Sequence, residues 1–269
     1  MTTAVQLQEA VDESQFGGKC VSLGNAIRAG LPTPGGFALS ADVVNRIAAD
    51  GSMAFPDAID VFEALAPAMA VRSSAVGEDS DEASFAGQHA TVLNVMNKDA
   101  MLAAIHTVYQ SAHSPEALAY REKMGVSAEP AIAVALQKQI LSDVSGVMFT
   151  RNPITGADER YIEASWGLGE AIVSGLVVPD SFRLSRQGQV MARTAGEKDL
   201  RLEADREGNV IEVEIEGEAV EALCVNDSQL LELHDLASRC EATYGTGLDI
   251  EWAISEGKVY LLQCRAITR

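Results

Sequence analysis

The chain has 269 residues, and its 20 Lys and Arg against 39 Asp and Glu give a formal net charge of −19. Such an acidic chain repels nucleic acid and anionic lipid, so we expect neither as a general partner. Any polyanionic ligand must therefore be bound locally, by a few focused cations. Hydrophobic residues make up 47% of the sequence, which is enough for a sizeable core in one large domain or in two lobes.

The sequence shows no targeting or membrane signal. The N-terminal stretch MTTAVQLQEAVDESQ is polar, and no apolar run approaches the roughly 18 residues that a membrane span needs. Four cysteines occur, at positions 20, 224, 240 and 264, without a CxxC pair or a histidine at zinc-ligand spacing. We therefore expect a cytoplasmic protein with reduced thiols.

The first half of the chain predicts mainly helices. A glycine turn at 16–18 leads into an amphipathic helix that places Leu23, Ile27 and Leu31 on one face. A Pro/Gly turn at 31–36 precedes a strand. Residues 99–112 have helical spacing, and Ser114-Pro115 is a typical N-cap and first-turn pair for a second helix.

The second half predicts mainly strands. AIAVALQKQI and SGVMFT are typical of buried strands joined by a short turn, and RYIEAS predicts another strand. WGLGEAIVSG predicts a loop or a helix start, and residues 182–215 predict short strands. Residues 228–244 predict a helix that ends at Gly245, and the chain then closes with a hairpin.

The mixture of helices and strands without strict alternation predicts an α+β fold. The change in texture near residues 125–130 indicates a boundary between two lobes, residues 1–125 and residues 126–269.

The C-terminal hairpin, LDIEWAISEGKVYLLQCRAIT, carries the most informative pattern. Burial favours a register that pairs Ile250 with Cys264, Trp252 with Leu262 and Ile254 with Tyr260. That register needs a connection with an odd number of residues, which a type I turn with Gly257 in the left-handed region would supply. The same register places Glu251 opposite Gln263 and Asp249 opposite Arg265 on one polar face.

Two interpretations of this polar face remain open. It could be a solvated sheet edge with a surface ion pair, worth under about 1 kcal/mol. It could instead be a Mg²⁺ site with ligands from Asp249, Glu251 and Gln263, and with Arg265 beside metal-bound phosphates.

Two isolated cations are further candidates. Lys19 follows a glycine pair in FGGKC, which could be an ordinary turn or could hold the lysine toward a phosphate. Arg72 ends an apolar run and precedes the acidic stretch 78–82. It could pair with a nearby carboxylate or act as a bidentate phosphate clamp, with the backbone approaching a triphosphate at Gly87.

Five motifs in a fixed order resemble one known family. They are GGKCVSLGNAIRAGLPTPGGFALS, VRSSAVGEDSDEASFAGQHATVLNV, SDVSGVMFTRNPITG, IEASWGLGEAIVSG and DIEWAISEGKVYLLQCRAIT. Together they resemble the ATP-binding domain of phosphoenolpyruvate synthase, pyruvate phosphate dikinase and rifampin phosphotransferase. The resemblance extends from about residue 16 to the C-terminus and implies an ATP-grasp-like fold, with the nucleotide in a cleft between two lobes.

The resemblance also implies roles for particular residues. It places Lys19 and Arg72 at phosphate-binding positions, and Gly87 and Thr91 in a small-residue phosphate loop. The remaining positions that it assigns border the adenine, bind the metal or lie at catalytic positions: Gln137, Gln139 and Ile140 at the base; Glu251 and Gln263 at the metal; Asp249 and Arg265 at the catalytic positions.

Enzymes of this family pass a phosphoryl group to a histidine on a swivelling domain. None of the four histidines here lies in a glycine- or serine-rich loop. The resemblance therefore implies an ATP- and Mg²⁺-binding phosphotransferase component that works with a phosphohistidine-bearing domain or protein, in cis or in trans. The alternative is a non-catalytic nucleotide-sensing module.

Overall fold

The computed structural model describes residues 3–76, 90–123 and 130–267. Within these ranges the chain forms seven α-helices and thirteen β-strands. The helices are α1 (Glu13–Arg28), α2 (Ala41–Asp50), α3 (Ala58–Leu65), α4 (Lys98–Ala112), α5 (Pro115–Lys123), α6 (Glu170–Val173) and α7 (Asp227–Tyr244). The strands are β1 (Val5–Gln6), β2 (Gly36–Leu39), β3 (Met69–Ala75), β4 (Thr91–Val95), β5 (Ile132–Lys138), β6 (Val144–Phe149), β7 (Arg160–Trp166), β8 (Asp180–Leu184), β9 (Val190–Thr194), β10 (Leu200–Ala204), β11 (Val210–Glu214), β12 (Leu248–Ser255) and β13 (Lys258–Ala266).

Two antiparallel sheets organise the molecule. The first sheet has the strand order β1-β2-β5-β3-β4, and the second has the order β13-β12-β6-β7-β8-β9. Strands β10 and β11 form a separate two-stranded hairpin. The predicted α+β class is confirmed. No helix in the described ranges is long and apolar enough to cross a membrane.

The side-chain alternation of β5 explains how the first sheet is covered on both faces. Ile132, Val134 and Leu136 point into a core that they share with α2, α3 and α4. Ala135 points to the opposite face, where α1 packs against it through Cys20 and Leu23. Because alanine is small, α1 can lie close to this face.

The second sheet is covered by one long helix. Leu230, Leu233, Leu236 and Cys240 of α7 pack against the sheet around Trp252, which is fully buried. The opposite face of the second sheet faces the first sheet. A cleft therefore forms between the two sheets, with α1 at its side.

Strands β5 and β6 follow each other in sequence, as predicted, but they belong to different sheets. The segment 139–143 that joins them crosses from one sheet to the other. The predicted lobe boundary at 125–130 falls largely outside the described residues and stays a prediction. If the lobes are defined by their sheets, we propose that the division follows β5, because β5 pairs with β2 and β3.

Candidate functional site

A cavity of about 630 Å³ lies in the cleft between the two sheets. It brings together residues that are far apart in the sequence. Nine of the predicted site residues line it: Lys19, Arg72, Thr91, Gln137, Gln139, Ile140, Glu251, Gln263 and Arg265. Asp249 lies behind them, against Arg265, and Gly87 lies outside the described residues.

The backbone at Gly17 directs Lys19 into the cavity. Gly17 has φ +72° and ψ 165°, which interrupts the helical geometry just before the lysine. A Cβ atom at this position would lie 2.2 Å from the carbonyl oxygen of Ser74, so only glycine fits. Ser74 Oγ then donates to the carbonyl of Phe16 (2.7 Å) and accepts from the backbone N–H of Cys20 (3.0 Å), which fixes α1 on β3.

Arg72 crosses the cleft from the first sheet to the second. It pairs in register with Ala135 and Thr91, so its side chain lies on the cleft face of the first sheet. Its Nη1 lies 3.3 Å from Glu251 Oε2 on β12. Arg72 is only 9% exposed, and among the described residues its Nε has no hydrogen-bond acceptor.

The inner half of the C-terminal hairpin, away from its turn, has the predicted register. Asp249 pairs with Arg265 and Glu251 pairs with Gln263, so their side chains share the cleft face. Arg265 donates to Asp249 Oδ2 from Nε at 2.9 Å and from Nη2 at 2.7 Å. The arrangement places a guanidinium, an amide and a carboxylate at the cavity wall.

In the outer half of the hairpin, next to its turn, the predicted register is wrong. Trp252 pairs with Leu261 and not with Leu262, and Ile254 pairs with Val259 and not with Tyr260, because a bulge follows Glu251. The bulge takes up the extra residue of β13, so the connection has two residues and not an odd number. Glu256 (φ +50°) and Gly257 (φ +73°) both have positive φ, as in a type I′ turn, and the positive φ of Gly257 is as predicted.

The bulge also changes which leucine faces the cavity. Leu261 is fully buried in the core of the second sheet, whereas Leu262, which was predicted on that apolar face, lines the cavity. An apolar wall therefore lies beside Gln263.

Burial raises the pKa of Asp249, which lies behind Arg265, above its usual range. The neighbouring charge of Glu251 also raises this pKa. The Arg265 guanidinium opposes both effects and favours the carboxylate form. Asp249 Oδ1 is buried and has no hydrogen-bond partner among the described residues.

A further part of the cavity wall is formed by the end of β5 and the segment after it. Gln137 is buried, and its Nε2 lies 3.4 Å from the carbonyl oxygen of Pro34. Gln139 accepts a hydrogen bond on Oε1 from the backbone N–H of Asn94. Ile140 adds an apolar surface beside them.

Several cavity residues were not predicted from the sequence. They come mostly from the loop around α6 and from the strands of the second sheet: Lys138, Ser142, Leu168, Glu170, Val173, Ser174 and Trp252. Glu170 carried no signal in the sequence, because a carboxylate is ordinary in the first turn of a helix, and Glu170 begins α6. Ser174 Oγ donates to Glu170 Oε1 at 3.0 Å.

Comparison with known proteins identifies the family of the chain. Residues 54–269 match the family described as pyruvate phosphate dikinase, AMP/ATP-binding domain, and the chain belongs to this family. The resemblance inferred from the five motifs is thus confirmed.

The curated relatives are longer proteins. The uncharacterized phosphotransferase YvkC of Bacillus subtilis is 34% identical over 98% of this chain and 35% of its own length. A probable phosphoenolpyruvate synthase of Archaeoglobus fulgidus is 41% identical over 74% of this chain and 27% of its own length. A rifampicin phosphotransferase of Streptomyces sviceus is 34% identical over 98% of this chain and 36% of its own length. The chain therefore spans about a third or less of the length of these relatives.

Proposed function

We propose that this chain binds ATP with Mg²⁺ in the interlobe cavity and donates a phosphoryl group to a histidine on a separate domain or protein. The AMP/ATP-binding family supports the nucleotide. The names of the longer relatives, which include phosphotransferases and a probable phosphoenolpyruvate synthase, support transfer to a further acceptor. A cleft between two lobes is also what the ATP-grasp-like resemblance implies.

The convergence of cations in the cavity is the observation that carries this proposal. Lys19, Arg72 and Arg265 come from α1, β3 and β13, yet all three line one cavity. The whole chain has a formal charge of −19, so such a cluster is not a product of composition. Guanidinium and ammonium groups at a shared cavity are suited to the phosphates of a nucleotide.

The carboxylate side of the cavity fits a Mg²⁺ ion that is shared with phosphates. Mg²⁺ in nucleotide sites is held by one or two carboxylates, waters and phosphate oxygens. Glu251 and Gln263 face the cavity side by side, and the buried Oδ1 of Asp249 lacks a partner among the described residues. We propose these three residues as the metal ligands; a Mg²⁺ held there would offset the negative charge of the phosphates.

The remaining roles follow from position. Lys19 and Arg72 would bind the phosphates from the side of the first sheet, together with Thr91. Gly87 lies outside the described residues, and we propose it for the phosphate loop on the resemblance alone. Arg265, held by its two hydrogen bonds to Asp249, would bind them from the second sheet. Lys19, Arg72, Asp249 and Arg265 are thus the proposed catalytic residues.

The base would lie against the end of β5 and the segment after it. Gln137, Gln139 and Ile140 line the cavity there, and the apolar side chains of Leu93 and Leu168 line the same cavity. An apolar slot with a few amide groups suits a purine, whose faces are apolar and whose edges carry donors and acceptors.

Binding of ATP to purified variants tests the proposal. ATP with Mg²⁺ should raise the melting temperature, because a ligand that binds only the folded state stabilises it. Lys19→Ala and Arg72→Ala should each weaken binding by about tenfold or more in calorimetry, since each removes a charged hydrogen-bond donor.

Two exposed residues provide matched controls. Lys123 ends α5 and Arg206 lies in the turn between β10 and β11, and both are exposed. Lys123→Ala and Arg206→Ala should leave the affinity for ATP unchanged. Absence of heat and of a thermal shift at millimolar ATP and Mg²⁺ in the unmodified chain would exclude the nucleotide function.

A further inference from the structure

The orientation of the Gln139 side chain is fixed by its neighbour. A backbone N–H can only donate, so the side-chain atom that accepts from Asn94 N must be the oxygen, Oε1. The amide nitrogen, Nε2, must then point away from Asn94. The usual ambiguity between the two ends of a glutamine side chain does not arise here.

Nε2 of Gln139 is a buried donor at the cavity. It has no acceptor among the described residues, although Gln139 itself lines the cavity. The apolar side chains of Leu93, Ile140 and Leu168 line the same cavity. A buried donor without an acceptor is costly, so a ligand that supplies the acceptor gains affinity from this position.

Asn94 is itself held in place by a second element. It has φ +55°, an uncommon conformation for a residue other than glycine, and it is 2% exposed. Its Nδ2 donates to the carbonyl oxygens of Asp205 (2.9 Å) and Asn209 (2.7 Å) in the turn between β10 and β11. The turn therefore fixes Asn94, and Asn94 fixes the amide of Gln139.

We propose that Gln139 reads the nucleobase by donating a hydrogen bond from Nε2 to a ring nitrogen, and that Asn94 is the positioning residue that aims this donor. The inference rests on the proposed binding of ATP in the cavity. A purine presents ring nitrogens as acceptors at its edge, whereas the phosphates would be bound by the cations Lys19, Arg72 and Arg265. The contact gives the site a preference for bases with an acceptor at that position.

Deaza analogues of ATP test the contact one nitrogen at a time. In 1-deaza-, 3-deaza- and 7-deaza-ATP one ring nitrogen is replaced by C–H, which removes a single acceptor. We expect one of the three to bind the full chain about three- to tenfold more weakly than ATP, the range for one neutral hydrogen bond. In Gln139→Met that difference should disappear, and ATP itself should bind more weakly by a similar factor. Gln187→Met, at an exposed turn, is the matched control and should behave as the unmodified chain.

The role of Asn94 has a separate readout. Asn94→Asp keeps the size of the side chain but replaces its N–H donors with an acceptor that faces two carbonyl oxygens. We expect the preference for ATP over the sensitive analogue to fall toward that of Gln139→Met. A purely structural role would lower stability and leave the preference intact, which would remove Asn94 from the proposal.

The outcomes separate this inference from the proposed function. If ATP binds and all three analogues bind equally well, the Gln139 contact is refuted while nucleotide binding stands. If Gln139→Met remains sensitive to the same analogue, another group reads that nitrogen and the contact is again refuted. If the unmodified chain does not bind ATP, both proposals fail.

Discussion

His234 accepts a hydrogen bond from a buried arginine. Arg160, the first residue of β7, donates from Nε to His234 Nδ1 on α7 at 3.0 Å, and Arg160 is almost fully buried. Burial lowers the pKa of His234, and the charges of Arg160 and Arg186 lower it further, whereas Asp235 and Glu241 raise it. A protonated imidazole could not accept the hydrogen bond from Arg160.

This contact predicts a loss of stability in mild acid. Above the unfolded pKa, about 6.5, histidine is neutral in both states and the contact is fully present. As pH falls below that value the unfolded state takes up the proton first, so the free energy of unfolding decreases until the folded pKa is reached. Urea unfolding at pH 7.5 and pH 5.5 should show this decrease reduced in His234→Asn, which retains an acceptor near Nδ1 but does not titrate.

An exposed histidine is the control for that comparison. His106 lies on the exposed side of α4, and His106→Asn should leave the hydrogen bond between Arg160 and His234, and with it the predicted decrease, in place. All three proteins have the same carboxylates, so only the difference between variants is diagnostic. An identical pH dependence in His234→Asn would contradict the assignment.

At the scale of single residues, the sequence predicted the cations of the cavity better than their partners. Arg72 and Lys19 stand out because each is an isolated cation next to small residues or an apolar run. The partner of Arg72 could not be predicted, because Glu251 lies 179 positions away and meets it only across the cleft. Asn94 gave no signal at all, since its backbone conformation depends on the turn between β10 and β11.

At the scale of elements, α1 depends on its interruption at Gly17. The value φ +72° with ψ 165° belongs to a region that is essentially restricted to glycine, where another residue costs about 1–3 kcal/mol. The added Cβ would also meet the backbone of Ser74 at 2.2 Å. Relief of this clash must move α1 away from β3 and therefore displace Lys19.

We predict that Gly17→Ala lowers both stability and ATP affinity. The strain and the clash together should reduce the free energy of unfolding by about 2 kcal/mol or more, measured in urea. Gly30→Ala is the matched control, because Gly30 also has positive φ (+71°) but has open space around its Cα. Gly30→Ala should be only mildly destabilising and should bind ATP normally; equal effects of the two substitutions on affinity would contradict the role of Gly17.

The C-terminal hairpin shows where prediction of an element from its pattern ends. Alternation of polar and apolar residues predicted the inner pairs correctly, because both faces there have a clear preference. In the outer half, Leu261 and Leu262 are equally apolar, so burial alone could not decide between them. Glu256 and Gly257 both adopt positive φ, which allowed a connection of only two residues. The bulge after Glu251 then took up the one residue of β13 that was left over.

At the scale of the whole molecule, the sequence predicted two lobes but not how the strands are shared between them. β5 and β6 are both apolar and are separated by a short segment, which is also typical of a hairpin. What separates them is the pairing of β5 between β2 and β3, a long-range choice with no local signal.

The two sheets are joined at two places, through α1 and through the β10–β11 hairpin. On one side, Ser22 Oγ donates to the carbonyl of Cys264 (2.8 Å), and Tyr244 Oη donates to the carbonyl of Ser22 (2.7 Å). The backbone N–H of Leu261 also donates to the carbonyl of Pro32 (2.9 Å). On the other side, Asn94 binds the turn between β10 and β11, and this hairpin contacts the second sheet where Gly167, just after β7, forms a β-bridge with Leu202. Lobes that are joined by contacts at two places should unfold together.

We predict a single cooperative unfolding transition for the described chain. Both tryptophans, Trp166 and Trp252, lie in the second sheet, so their fluorescence reports on that sheet alone. Ile105 is fully buried in the core of the first sheet, and Ile105→Ala should cost about 2–5 kcal/mol. If the sheets unfold as one unit, this substitution shifts the tryptophan transition in urea by the full amount, together with the transition seen by circular dichroism.

Ile59→Ala, at a position that is 55% exposed, is the control and should change stability by less than about 0.5 kcal/mol. A tryptophan transition that stays in place while the circular dichroism transition moves would show that the two sheets unfold independently, and that the contacts between them do not couple their unfolding.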